Sequence, residues 1–282
     1  MSRRIPPYKV ERFKFIVTAG AEMVNVGELS AALIISHPGH ELRVFHWLEQ
    51  TRPVVLVITD GSGSINQARI SSTSRILKML GASSGLVYGV FTDREIYSHI
   101  LNRSESILIQ LLEQLATTLT EHNIDVVAGD ALEGYNPSHD LCRYVINAAV
   151  FLLSKRTGRT VRNLDFLLVG RPDVCPPELL PSAVRLQIDD AALERKLQAA
   201  EHYAELKPEV EAALKSVGKD GFRYECLRPV QQPESFDPPE VPPFYERHGE
   251  KRVKEGTYKD VIRYREHLRP VAEMLWNYAA RA

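Results

Sequence analysis

No apolar run in this chain is long enough to cross a bilayer: the longest, Val145-Ile-Asn-Ala-Ala-Val-Phe-Leu-Leu153, falls far short of the roughly 20 residues required. Charge of one sign is also missing. With a formal net charge of -1 and both signs interspersed, the sequence offers no basic face for nucleic acid and no polybasic run for a membrane surface. Cysteine is scarce. Cys142, Cys175 and Cys226 are odd in number, far apart and without Cys-x-x-Cys spacing, the usage expected of reduced thiols in a cytoplasmic protein. The start, Met1-Ser-Arg-Arg-Ile-Pro-Pro-Tyr-Lys9, is charged but has no apolar core or small-residue cleavage site, so no secretory signal is expected. A complete Gly-x-Gly-x-x-Gly or Gly-Lys-Ser is absent as well. The glycines of Thr59-Asp-Gly-Ser-Gly-Ser64 therefore read first as a solvent-facing turn, with phosphate binding the weaker alternative.

What is present is enough apolar residue, 44% of 282, to bury the core of one α/β domain with an appendage. Short β-branched runs alternate with helical patterns, the signature of βαβ units and a mostly parallel sheet in a Rossmann-like three-layer fold. Strands are expected at 31–36, 53–59, 86–91, near Val126, at 164–170 and at 183–188. Helices are expected at 41–49, 70–80, 101–122, from about His139 onward and at 190–213. Asn136 or Ser138 is available as cap for the helix that begins near His139. After Arg228 the composition changes. Residues 228–245 are too rich in proline for a helix or a central strand and should run extended over the surface, and a last helix at about 256–280 should pack on the core or on a second copy of the chain. This division gives an α/β domain over 1–227 and a proline-rich segment with a C-terminal helix over 228–282.

The chemistry gathers at two strand ends. Ala31-Ala-Leu-Ile-Ile-Ser-His-Pro-Gly-His-Glu41 runs from an apolar strand into two histidines, and Glu133-Gly-Tyr-Asn-Pro-Ser-His-Asp140 follows the run Asp125-Val-Val-Ala-Gly129. In an open parallel sheet, residues just beyond the carboxyl ends of different strands converge in one crevice. His37, His40 and His139 are thereby expected at one site, where three imidazoles with a position left for water form the pattern of a catalytic zinc centre. Nitrogen ligands also suit other divalent transition metals. His46, His99, His122, His202, His248 and His267 have no partner spacing and read as surface positions.

At these motifs the sequence resembles the PIG-L/LmbE-like family of metal-dependent N-deacetylases, over roughly residues 31–212. The family's His-Pro-Asp-Asp-Glu reads here as His37-Pro-Gly-His-Glu41, and its His-Pro-Asp-His as Asn136-Pro-Ser-His139. The resemblance implies zinc ligands at His37 and His139, with His40 in place of a ligand aspartate. It also implies substrate contacts at Arg69 and Asp93, a cleaved acetamido group on an amino sugar or related glycoside, and a small-molecule substrate. The family's catalytic base is Gly39 here, its auxiliary histidine is Asn136, and the neighbouring aspartate is Ser138.

Exchanging an anionic ligand for a neutral imidazole leaves a divalent site with one more positive charge, which favours hydroxide over water at the ion. Proton transfer then falls to another side chain: Asp60, Glu133 or Asp140. Asp60 and Glu133 are equally suited to accept from the free ring nitrogens of the ligands. Tyr135 at the substrate, or the Asn136 amide, could stabilise an oxyanion. Glu41 reads as a charge on the first turn of its helix. The competing class is a non-catalytic descendant in which the site binds a ligand or serves a scaffold.

Overall fold

The computed structural model describes residues 16–19, 22–25, 29–63, 67–230 and 236–282. The start Met1–Lys9, Ser64 of the glycine turn and residues 231–235 of the proline-rich segment lie outside the described residues. A two-stranded antiparallel ribbon, β1 (Ile16–Ala19) and β2 (Glu22–Asn25), comes first. The main sheet is built from β3 (Ala31–Ile35), β4 (Val54–Thr59), β5 (Ser83–Phe91), β6 (Val126–Asp130), β7 (Arg162–Phe166), β8 (Val184–Gln187) and β9 (Tyr224–Pro229). Its strand order is β5-β4-β3-β6-β7-β9-β8. The first five strands run parallel, and β9 pairs antiparallel with both β7 and β8.

Every residue of β3, β4 and β6 is buried, as required of parallel strands covered on both faces. Successive side chains point to opposite faces. Ala32, Ile34, Leu56 and Ile58 accordingly enter one core, while Ala31, Leu33, Ile35, Val55 and Val57 enter the other. The first core is closed by α4 (Glu105–Glu121), α5 (Pro137–Thr157) and α9 (Arg269–Arg281). The second takes Trp47 and Leu48 of α1 (Phe45–Thr51) and Leu77 of α2 (Ile70–Leu80). Gly129 lets α5 approach β6 closely: a Cβ there would stand 2.5 Å from both Ile34 O and Ile146 Cδ1. Among the described residues no helix is long and apolar enough to cross a membrane.

One expected helix is divided at a proline. The 190–213 pattern forms α6 (Asp190–Glu201) and α7 (Lys207–Val217), because Pro208 is confined to the first turn of a helix. The last pattern begins late, with a π turn over Tyr264–Leu268 that runs directly into α9, and α8 (Phe244–Lys254) ahead of it is a separate helix that starts within the stretch expected to run extended. The 101–122 pattern likewise resolves into the end of α3 (Asp93–Leu101) and the whole of α4. Leu268, Val271, Ala272, Leu275 and Ala279 join the first core, so the C-terminal helix packs on this chain. Cys142, Cys175 and Cys226 are free thiols.

One buried ion pair fixes the end of the sheet to the layer beside it. Glu225 on β9 accepts from the His46 and Trp47 N–H groups at the start of α1 and from Lys196 Nζ of α6 at 2.8 Å, with both charged side chains almost wholly buried. Removing one partner strands the other charge in the interior. Glu225→Ala is expected to cost about 3–5 kcal/mol in denaturant unfolding, and adding Lys196→Met should recover part of that loss.

Candidate functional site

The chain leaves β3 toward the second core and leaves β6 toward the first, so a crevice opens between their carboxyl ends. His37 and His40 follow β3, and His40 opens a short 3₁₀ turn over His40–Val44. His139 lies in the first turn of α5, whose cap is Asn136: its Oδ1 accepts from the Ser138 N–H at 2.9 Å. The three rings converge. Centroids are 5.3 Å apart for His37 and His40, 5.0 Å for His37 and His139, and 4.6 Å for His40 and His139.

Each imidazole has a different set of partners. His37 Nδ1 lies 2.7 Å from Thr59 Oγ1 and 2.9 Å from Asp93 Oδ1, and its Nε2 lies 2.8 Å from Ser138 Oγ. His40 Nδ1 lies 3.0 and 2.9 Å from the two carboxylate oxygens of Asp130. His139 Nδ1 is buried with no hydrogen-bond partner. Burial pushes the His139 imidazole well below its ordinary pKa, helped by His40, His37 and Arg69 nearby. His40 is also lowered, by burial first, with Asp130 opposing the shift. Burial would raise Asp93, yet the hydrogen bond and charge of His37, with hydrogen bonds from Thr59 and the Gly63 N–H, hold it below the usual carboxylate range.

Asp130 was invisible as a site residue in the sequence. It is the last residue of β6, 90 positions from His40, and its side chain is fully buried. Its place changes the charge argument, because the sequence reading counted His40 as leaving the site one charge more positive. A carboxylate stands directly behind that ring, so the negative charge is kept one residue further out.

The remaining candidates divide by what they touch. Arg69, which precedes α2, lies close enough to His40 and His139 to lower both, and its Nε is buried without a partner. Asp60 accepts from the Ser62 N–H and so closes the turn after β4. Glu133 accepts from the Leu168 and Val169 N–H groups, and burial raises its pKa. Asp140 accepts through Oδ1 from the Glu133 and Gly134 N–H groups. Tyr135 is 46% exposed and stacks on Phe244, itself 41% exposed, with centroids 5.1 Å apart. Asn136 Oδ1 also accepts from Ser138 Oγ and the Tyr97 hydroxyl. Glu41 is fully buried and accepts from the Gly39 N–H and from Thr73, with its carboxyl pushed up to about 7 by burial. Gly39 has φ +106°, and a Cβ added there would overlap Leu206 Cδ1.

No family model matches the sequence, and no curated protein matches it. Among solved structures, the chain is similar to the A40926 pseudoaglycone deacetylase Dbv21, at 19% identity and TM-score 0.49 over 73% of this chain and 99% of that one. It is similar to the zinc-inhibited form of teicoplanin deacetylase Orf2, at 14% identity and TM-score 0.48 over 73% and 100%. It is also similar to the conserved protein TT1542 from Thermus thermophilus, at 16% identity and TM-score 0.48 over 73% and 97%. Likeness at this level carries no site with it, so the chemistry rests on this chain's own residues.

Those residues can be tested against a divalent ion. As the side chains stand, no group of three His, Cys, Asp or Glu among the described residues could hold a metal ion, and His37 has both nitrogens engaged. Yet His139 Nδ1 is a buried polar atom with no partner, which is costly unless something meets it. His40, anchored through Nδ1, keeps Nε2 for the crevice. Three imidazoles fit a nitrogen-bound transition metal in kind. The residues fit such an ion on one condition, that Ser138 releases His37.

Burial pushes the Asp140 carboxyl up to about 8, against the two backbone N–H groups it accepts from. An unfolded aspartate ionises near 4, so the folded state holds a proton that the unfolded state has lost between those values. Stability from this group is present below about 4 and is lost as pH rises toward about 8. Asp140→Asn keeps the acceptor for Glu133 and Gly134. Its unfolding free energy is expected to vary less with pH across that interval and to exceed the native value near pH 8, measured by urea titration at a series of pH values.

Proposed function

We propose that the chain is a hydrolase of N-acylated amino sugars or related glycosides, in the simplest form an N-deacetylase, with zinc or a similar divalent ion held by His37, His40 and His139. The observation that carries this reading is the buried, unpartnered Nδ1 of His139 beside two further imidazoles. When bound, such an ion supplies a Lewis acid that polarises the acyl carbonyl and acidifies water.

The side chains around the rings fit that use. Arg69, with Nε unpartnered beside His40 and His139, can donate to a substrate oxygen. Asn136 turns Oδ1 toward Ser138 and Tyr97, which aims its amide nitrogen elsewhere and leaves it able to donate to an oxyanion. Tyr135 and Phe244 form an exposed aromatic wall on which the ring of a sugar could lie. Asp93, like Asp130, is in contact with a ring of the crevice, whereas Asp60, Glu133 and Asp140 accept from backbone N–H groups around it. A ligand-binding or scaffold role without an ion is favoured by one observation, the engagement of both His37 nitrogens.

Elemental mass spectrometry of protein purified without tag histidines or added metal separates the two readings. About one equivalent of zinc, lost in His40→Ala, together with chelator-sensitive release of acetate from N-acetylated sugars, is the result expected of the hydrolase. Protein that carries no metal and takes up none when zinc is supplied would leave the ligand-binding role.

A further inference from the structure

We propose that Asp130 is the positioning residue of the crevice: its carboxylate fixes the tautomer of His40, so that His40 presents a bare Nε2 to the space it shares with His37 and His139. The geometry leaves little freedom. Both oxygens of Asp130 face His40 Nδ1, at 3.0 and 2.9 Å, and Oδ2 also accepts from the Ser36 N–H at 2.8 Å. Ser36 is in turn held from β4, since its carbonyl accepts from the Thr59 N–H at 2.9 Å and from the Thr59 hydroxyl at 3.1 Å. The Asp130 side chain is shielded from water, and Arg143 Nε donates to the carbonyl of the same residue. The carboxylate is thereby fixed from its own backbone and from the neighbouring strand.

An ionised carboxylate only accepts, so the ring nitrogen facing it must carry a proton. A neutral imidazole has one such proton, and both Asp130 oxygens claim it at Nδ1. Nε2 is then a lone pair. A bare nitrogen can bind an ion or take a proton, and an Nε2–H can do neither. The tautomer itself follows from Asp130 alone, and only its use in hydrolysis rests on the proposed function.

Asp130→Asn tests this, because the side-chain oxygen can still accept from Ser36 while the amide donates to His40. His40 Nδ1 must then accept, and the ring proton moves to Nε2. Long-range ¹H–¹⁵N spectra of histidine-labelled, metal-free protein, with His40 assigned by its loss in His40→Ala, should show a protonated Nδ1 in the native chain and a protonated Nε2 in Asp130→Asn. Zinc affinity by competition with a chromophoric chelator should fall about tenfold or more in Asp130→Asn, and should be unchanged by Asp130→Asn in a His40→Ala background. Native His40 protonated at Nε2 overturns the proposal and can be read even if the variant does not fold. An affinity loss that persists without His40 also overturns it. Tautomers that exchange as expected in a protein that takes up no zinc uphold the role of Asp130 and remove the metal-dependent hydrolase.

Discussion

Where the order of a parallel sheet reverses, the chain leaves two neighbouring strands toward opposite faces, and neither connection can cover the gap between them. β3 and β6 are such a pair here, hydrogen-bonded from Ala31 and Val126 onward. That single constraint decides where the polar side chains can go. The two cores are built mainly from apolar side chains, and the gap gathers three imidazoles with the carboxylates of Asp93 and Asp130.

A polar group in such a place is tolerated only with partners, and the acids divide into two kinds. Asp93 and Asp130 face imidazoles and balance them. Glu41, Glu133 and Asp140 accept backbone N–H groups of the loops after β3, β7 and β6. The first kind sets the protonation and direction of the rings. The second sets the shape of the loops. Arg69 belongs to neither, and its Nε is the one among the arginine nitrogens described here that is buried and unsatisfied.

Much of the architecture could be read from local sequence. The β-branched runs of β3, β4 and β6 are buried on both faces, and the amphipathic stretch 70–80 coincides with α2. The convergence of His37, His40 and His139 followed from their place beyond strand ends. Other features have no local signature. Asp130 ends a strand as an ordinary polar residue, and only the pairing of β6 with β3 brings it to Ser36 and His40. The antiparallel strand β9 alternates too briefly, and ends in proline, to announce itself. Glu133 and Asp140 carry the residue type of a proton donor, but the backbone N–H groups they satisfy are created by the fold of the loop itself.

Gly39 lies between the two histidines of its turn in a left-handed backbone conformation, with Leu206 filling the place of a side chain. A single exchange to aspartate would meet both the φ penalty and the leucine. The glycine is therefore locked in by its surroundings. An acid at this position needs a second change at Leu206 or a shift of the turn after Tyr203, so any proton transfer in the crevice falls to groups on its other walls.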